Sequence, residues 1–414
     1  MPYATAKSAA RIAKKTTTRS GRATNGWTVA IYARRVRRGR VAAFIAAALY
    51  AAVVLVAWSS IQDVNDYAGL VAGARAILAG ESPYDATTWP TAWQHLGTQR
   101  PDTAVYGYPA WIALVFLPLA PLPIWLGSLV FTAGTLALAT LAARSLARAV
   151  DAPPIAATLL ATASWPAFLV FLQGQWAYLL LALSIATYRD LAQRRDRRAG
   201  AWWAIAVLVK PQLFVVGSAA LAAYLVRARR WSAIATATLV SIVAVVVSAL
   251  LLPGWWTPWL GAVAARRLVR STQQPTLAGL AGDVAGDAWP LAWGVAIAAL
   301  ALLIVWSARR APEHRGAIAF AGFLSLSIAS ALYSWSYDQY LCIAAGIVAI
   351  GVAAPPARRS VLIATLVLFI PVALALWLSA FPRYHDTGSG LLPPLAIALV
   401  AFAAARSRSA GAGR

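Results

Sequence analysis

The chain is poor in cysteine, in charge and above all in acids. Cys342 is its one cysteine, which excludes an internal disulfide and a metal site built from several cysteines. Charged residues make up 12% of the 414 positions, and only 13 residues are acidic. The sequence has no Walker loop and no GxGxxG turn, which excludes a nucleotide-hydrolysing domain. It also shows no clear internal repeat, the feature expected of a carrier built from two matching halves.

The chain is instead rich in long apolar runs. Hydrophobic residues make up 61% of the sequence, and apolar runs of about 20 residues recur along nearly all of it. Such runs are typical of membrane-spanning helices, because each helix satisfies its own backbone in lipid. They lack the period-2 alternation of a membrane β-barrel. The sequence therefore predicts an all-α polytopic membrane protein.

The formal net charge of +23 invites a comparison with nucleic-acid-binding proteins, but its placement argues against that class. Residues 1–40 are rich in Lys and Arg and contain no acid, and the other basic clusters stand at the ends of apolar runs. This is the positive-inside pattern, which adds attraction to anionic membrane lipids. We expect membrane lipids but no nucleic acid as partners, with both termini cytoplasmic and the chain in the plasma membrane.

The same pattern predicts one domain with two tails. We expect residues 1–40 to form a basic, disordered cytoplasmic tail, 41–406 a single transmembrane domain beginning with a helix at 41–60, and 407–414 a second tail. Within the domain, about 11 to 13 helices cross the membrane and long external loops occupy 62–107 and 253–290. Three local features are expected inside it: a short, Pro-broken segment at 108–121 that dips into the membrane and returns, a hairpin with its turn at "QGQ", and two short helices separated at "KPQ" (210–212).

The segment "NDYAGLVAGARAILAGESPYD" (65–85) brings acids close to the first apolar run. Helical spacing places its large apolar residues on one face, and Gly80 stands where a helix would end. We interpret it as a short helix on the outer membrane surface that starts at Asp66. Asp66 is either a helix cap or a functional carboxylate, and Asp63 or Asn65 could cap equally well.

Lys210 is the only lysine after residue 15 and lies in the apolar stretch "AVLVKPQLFVV". A buried ammonium in such a stretch needs a partner or water. Two interpretations remain open: a lysine that extends to the interface at a helix end, and a cation that faces an anionic substrate.

Three further stretches hold polar residues that the scheme places outside. "YSWSYDQY" contains Asp338 and Gln339 among aromatic rings, a combination that suits sugar binding. "RRLVRSTQQP" contains Arg266, which either meets a phosphate or belongs to a solvated face. "FPRYHD" adds Arg383 and His385, and no spacing there supports a metal site.

Several motifs, taken in order, resemble glycosyltransferase family 87, the polyprenyl-phosphate-mannose-dependent mannosyltransferases. They are Asp66 followed by Gly80 and Pro83–Tyr84, then "YGYPAWIALVFLPLAPLP" (106–123), Gly174–Gln175, "RAGAWWAIAVLVKP" ending at Pro211, "QQPTLAGL" and "YSWSYDQY". The chain departs from the family pattern at two positions of the last motif. Gln339 replaces its usual His and Tyr337 its usual Trp.

The resemblance implies a GT-C fold and an inverting sugar transfer on the external membrane face. The donor would be a polyprenyl-phosphate sugar, most simply mannose, and the acceptor a glycolipid or lipoglycan. Asp66 would be the general base. No cofactor is implied, and metal use stays open. The residues implied in substrate binding are Tyr84, Tyr108, Gln175, Lys210, Arg266, Arg383, Asp338, Gln339 and His385, with Lys210, Arg266 and Arg383 as cations near the leaving phosphate and His385 as a replacement for the missing His.

Three alternatives from other classes remain. A transporter or flippase of lipid-linked intermediates would need no external base, and in a membrane scaffold the external acids would have no function. A GT-C transferase of arabinose or glucose would share the fold and the base but differ in its sugar site.

Overall fold

The described residues form helices and turns, with no strand among them. The fold comes from a computed structural model, which describes residues 52, 55–58, 66–94, 105–270, 274–379 and 387–407; for Gln94 and 265–270 it describes the backbone alone. The chain divides into two compact units, Met1–Ser59 and Ser60–Arg414. In the first unit, residues 55–58 are helical. The tail at 1–40, most of the helix expected at 41–60, and residues 408–414 lie outside the described residues.

Eighteen α-helices follow one another in the described part of the second unit, and most begin or end near a glycine or proline. They are α1 Asp66–Leu78, α2 Trp89–Gln94, α3 Ala110–Phe116, α4 Ile124–Ala149, α5 Pro154–Ala163, α6 Trp165–Gln173, α7 Ala177–Ala192, α8 Asp196–Val209, α9 Val215–Arg227, α10 Trp231–Leu251, α11 Trp256–Arg270, α12 Leu277–Ala285, α13 Trp289–Arg310, α14 Arg315–Ser330, α15 Ile343–Val352, α16 Pro355–Val367, α17 Ala373–Leu378 and α18 Leu392–Ser407.

Five of the described helical stretches are long and apolar enough to cross a membrane, or six if α5 and α6 form one bent span. They expose apolar side chains: in α10 only 6% of the most apolar window is buried inside the protein. A surface of this kind is stable in lipid and not in water. The all-α polytopic architecture is therefore confirmed. The number of crossings stays a prediction, since 11 to 13 of them would also need shorter apolar helices such as α9. The five stretches are Ile124–Ala149, Trp231–Leu251, Leu277–Arg310, Pro355–Leu378 and Thr387–Ser407.

The structure confirms two local expectations and corrects one. The chain turns at Gly174, and a break separates α8 from α9. A short helix (α3) occupies the Pro-flanked segment, and its dip into the membrane stays a prediction. The first arm of the expected hairpin, however, is bent by 48° between α5 and α6, where Ser164 caps α6 by accepting a hydrogen bond from the Ala167 amide. Much of the region 253–290, expected as an external loop, is helical, with Thr276 capping α12, and its external position stays a prediction.

The helix that starts at Asp66 and stops before Gly80 is present as α1, and Gly80 has the left-handed φ of +76° that glycine adopts readily. Our expectation of one buried face on a surface helix was wrong. Small residues on the other side of α1 are buried too, and Leu78 is 58% exposed. Helix α1 is therefore packed into the protein on most sides rather than laid on its surface.

The segment from Ser336 to Val352 is the most enclosed part of the described fold, because every one of its residues is buried. It begins as a 3-10 helix, Ser336–Cys342, and continues as α15. Its neighbours include α6, α7, α14 and α18, which come from both earlier and later parts of the chain. This segment carries Tyr337, Asp338 and Gln339 into the protein interior.

Candidate active site

Asp66 stands at the N-terminus of α1, and the packing of the next residue fixes its position. Tyr67 is fully buried against Phe116 and Phe131. Asp66 itself is only half-buried, so part of its surface stays accessible while protein encloses the rest. A carboxylate at this end of a helix also faces the positive end of the helix dipole.

Gln175 reaches Asp66 from the turn after α6. Its Nε2 donates to Oδ2 of Asp66 at 2.6 Å and lies 3.4 Å from the hydroxyl of Tyr108. The turn depends on Gly174, which has φ +61° and whose hypothetical Cβ would lie 2.6 Å from Cβ of Tyr67. Only a glycine fits both the backbone and the space at that point. The predicted Gly-Gln turn therefore places an amide directly on the carboxylate.

Tyr84 lies behind Tyr108. Its hydroxyl donates to the carbonyl of Tyr108 at 2.6 Å, and the amide of Tyr106 donates to the carbonyl of Pro83 at 2.8 Å. Tyr84 is buried and Tyr108 is partly exposed. The Pro-Tyr pair after α1 thus holds the chain that presents the Tyr108 ring beside Gln175.

Lys210 is placed by the proline that follows it. Pro211 disfavours a helical residue before it, so α8 ends at Val209 and Lys210 takes φ −144° and ψ 75°. The break frees carbonyls near the end of α8, and the indole of Trp111 donates to one of them, that of Leu208, at 2.9 Å. Lys210 is 4% exposed, so it does not extend to an interface.

The partner of Lys210 is Asp338. The ammonium nitrogen lies 2.8 Å from Oδ1 of Asp338, while Oδ2 accepts a hydrogen bond from the Trp335 amide at 3.1 Å. The same ammonium lies 4.7 Å from the ring centre of Tyr337. Both carboxylate oxygens of Asp338 therefore have partners inside the protein. The negative charge of Asp338 compensates the positive charge of Lys210.

Tyr337 is the site residue that the sequence did not identify. Its hydroxyl donates to Oδ2 of Asp66 at 3.0 Å, across 271 positions of sequence. In the family comparison it is only the residue that replaces the usual Trp. No local signal marks it, because an aromatic residue in "YSWSYDQY" fits an interfacial belt as well as a site.

Gln339 does not join this cluster through its described contacts. Its Nε2 donates to the carbonyls of Ser389 at 2.6 Å and Pro275 at 3.2 Å. It fastens the segments before α12 and before α18 to the 3-10 helix. Its predicted role in substrate binding therefore stays a prediction without support from these contacts.

Burial is the main influence on the acidity of Asp66, and it raises the pKa of this carboxyl above the usual value. The Gln175 amide, the Lys210 ammonium and the Tyr337 hydroxyl act in the opposite direction, and Asp338 adds to the increase. The result is a carboxylate that binds a proton more readily than an exposed aspartate, as a general base requires.

Three of the predicted site residues have no described side chain. Arg383 and His385 lie outside the described residues, as does the side chain of Arg266, whose backbone belongs to α11. Among the residues that are described, no group of three or more His, Cys, Asp or Glu side chains could hold a metal ion.

A comparison with protein families decides the class of this site. The sequence profile of glycosyltransferase family 87 matches residues 106–335, more than half of the 414 residues. The chain belongs to glycosyltransferase family 87. No curated protein and no solved structure matches it. Membership makes the chain a multi-pass membrane glycosyltransferase, which uses a sugar donor and an acceptor.

The family match covers one part of the cluster. Tyr108, Gln175 and Lys210 lie within the matched range of this family 87 glycosyltransferase, whereas Asp66 precedes the range and Tyr337 follows it. The roles of individual side chains therefore have to be argued from their geometry.

Proposed function

We propose that this family 87 glycosyltransferase transfers a sugar, mannose in the simplest case, from a polyprenyl-phosphate donor to a glycolipid or lipoglycan acceptor, with inversion at the anomeric carbon. The observation that carries the proposal is the carboxylate of Asp66. It is enclosed, partly accessible and held by two hydrogen bonds to one oxygen. Inverting transfer needs a base of this kind on the acceptor side.

In the proposed reaction, Asp66 removes the hydroxyl proton of the acceptor as that oxygen attacks the anomeric carbon. The bond from this carbon to the phosphate oxygen breaks, and its electron pair leaves with the lipid phosphate. A β-linked donor then gives an α-linked product. General-base catalysis supplies about 10²–10⁴-fold, so much of the remaining acceleration comes from holding donor and acceptor in line.

The leaving phosphate is stable as an anion and is helped by nearby positive charge rather than by a proton. Lys210 is a cation whose charge acts on Asp66, but Asp338 compensates it. We therefore assign Lys210 the role of orienting the site and keep Arg266 and Arg383 as the proposed cations for the phosphate.

We also propose that transfer takes place on the external face of the plasma membrane. The support is the distribution of charge, since the segments assigned to the outside hold most of the 13 acids and few of the 36 basic residues. A lipid-linked donor suits such a location, because its tail stays among the helices while its phosphate and sugar lie at the surface.

The test is transfer by Asp66→Asn. Membranes containing the wild-type chain, incubated with radiolabelled polyprenyl-phosphate mannose, should form a new labelled glycolipid. Asp66→Asn should lower the rate by about 10²–10⁴-fold, because an amide does not take up the proton. Asp85→Asn is the matched control. Asp85 is exposed and bonds locally to Thr87, so transfer should continue.

Two results would contradict the proposal separately. Turnover of Asp66→Asn at the wild-type rate would remove Asp66 as the base. Absence of product from the wild type with mannosyl, glucosyl and arabinosyl donors would remove the donor class.

A thermal unfolding curve of purified Asp66→Asn tests whether the variant is folded. Because burial raises the pKa of Asp66, the neutral Asn should unfold at the same or a higher temperature at pH 7.

A further inference from the structure

Both hydrogen bonds that Asp66 receives within the described residues end on the same oxygen. Gln175 donates to Oδ2 from the turn after α6, and Tyr337 donates to Oδ2 from the 3-10 helix. The two donors are 109 and 271 positions away from Asp66 in sequence. A carboxylate held in this way has one oxygen occupied and cannot rotate without losing both bonds.

The Tyr337 ring is fixed from its other side. The Lys210 ammonium lies 4.7 Å from the ring centre and 2.8 Å from Asp338. A cation on the face of a phenol withdraws electron density from the ring and strengthens donation by its hydroxyl. Tyr337 thus connects the ion pair to Asp66. Its ring packs against the Lys210 ammonium, and its hydroxyl donates to the Asp66 carboxylate.

We propose that Tyr337 is a positioning residue for sugar transfer. Together with Gln175 it occupies Oδ2 of Asp66, and Oδ1 is thereby the oxygen that takes the acceptor proton. The proposal rests on the proposed function, in which Asp66 is the base. In the step, the acceptor O–H bond breaks and its proton goes to Oδ1. The acceptor oxygen bonds to the anomeric carbon, and the electron pair of the broken sugar–phosphate bond leaves on the phosphate. Tyr337 keeps its proton throughout.

A purely structural role for Tyr337 predicts something different. The residue is buried, and its ring alone could be needed for packing against Lys210. Tyr337→Phe separates the two possibilities, because it keeps the ring and the contact with the ammonium and removes only the hydroxyl. A packing role would leave the catalytic rate and its pH profile unchanged.

The experiment measures transfer by Tyr337→Phe over a range of pH with the radiolabelled polyprenyl-phosphate sugar. Loss of a hydrogen bond to a charged group should lower kcat by about 10- to 100-fold, with little change in the KM of the donor. The acid limb of the profile should move to higher pH, since the Tyr337 hydroxyl favours the ionised carboxylate. The groups facing Asp66 are Gln175, Tyr337, Lys210 and Asp338, and only Tyr337 is altered.

Tyr340→Phe is the matched control, because Tyr340 is also buried in the 3-10 helix and its hydroxyl donates to the Ala161 carbonyl at 3.0 Å. It should leave the acid limb in place. Gln175→Ala is a second variant that removes the other donor to Oδ2, and it should move the limb in the same direction as Tyr337→Phe.

The outcomes distinguish this proposal from the proposed function. If the wild type transfers sugar and neither Tyr337→Phe nor Gln175→Ala alters kcat or the acid limb, the positioning role is overturned and the function stands. If Tyr340→Phe moves the limb as far as Tyr337→Phe does, the effect is general to the 3-10 helix and the proposal is again overturned. If the wild type transfers no sugar, the proposed function itself fails.

Discussion

The ammonium nitrogen of Lys210 lies 2.8 Å from Oδ1 of Asp338, and the two residues are 4% and 1% exposed. The pair joins the end of α8 to the 3-10 helix across 128 positions of sequence. Both charges are buried away from bulk solvent, so each depends on the other. The pair therefore fixes the distance between the break at Pro211 and the segment that carries Tyr337.

Removal of one member should be far worse than removal of both. Lys210→Met and Asp338→Leu should each lower the free energy of unfolding by about 3–5 kcal/mol, since each leaves one uncompensated buried charge. The double variant should recover most of this loss. Thermal or denaturant unfolding of the purified protein in detergent measures all four corners of the cycle. Single variants as stable as the wild type would show that the pair is open to water.

We expect Gln339 to stabilise the fold by holding two backbone segments together. Gln339→Ala removes the hydrogen bonds to the Pro275 and Ser389 carbonyls and should lower stability by about 1–3 kcal/mol. Gln339→Glu should lower it more, because carboxylate oxygens would then face two carbonyl oxygens. Gln193→Ala, on an exposed side chain, is the control and should change stability by less than about 0.5 kcal/mol.

Kinetics separate this role of Gln339 from substrate binding. If Gln339 only holds the two backbone segments, Gln339→Ala should lower the stability and leave the donor KM nearly unchanged. A stable Gln339→Ala protein with a strongly raised donor KM would instead return Gln339 to the substrate site predicted from the sequence.

Gly174→Ala should damage both the turn and the base. The change forces a side chain into a left-handed backbone and onto the Cβ of Tyr67, and should lower stability by at least about 2 kcal/mol. Transfer should fall as well, because Tyr67 adjoins Asp66. Gly254→Ala is the control: Gly254 has φ +75° but no atom within 4 Å of the added Cβ, so only the backbone strain remains. Equal losses in both variants would show that the contact with Tyr67 carries no energy.

Local signals in the sequence predicted several parts of the site correctly. The limits of α1 followed from Asp66 and Gly80, the turn from Gly174–Gln175, and the break from Pro211. In each case a residue with a restricted or unusual backbone sets the structure within a few positions, so no knowledge of the tertiary fold was needed.

Other features depend on contacts between distant residues and could not be derived in this way. The bond from Tyr337 to Asp66 joins positions 271 apart, and an aromatic residue in "YSWSYDQY" has the same composition as an interfacial belt. Gln339 has the polarity expected of a binding residue, but the structure uses it to hold two backbone segments. Nothing in its local sequence distinguishes the two uses.

The burial of α1 on most sides could have been predicted from its sequence. The residues opposite its large apolar positions are Ala and Gly, and small residues allow another element to approach closely. Gly73, for example, faces the Tyr106 ring so closely that its hypothetical Cβ would lie 2.6 Å away. A surface helix would carry charged residues there.

The complete burial of Ser336–Val352 has a consequence for the order in which the protein matures. The segment is enclosed by α6 and α7, which are synthesised before it, and by α18, which is synthesised after it. Tyr337 and Asp338 therefore reach their final surroundings only when the last described helix has docked. A ribosome that has made every residue of the cluster has not yet made a working enzyme.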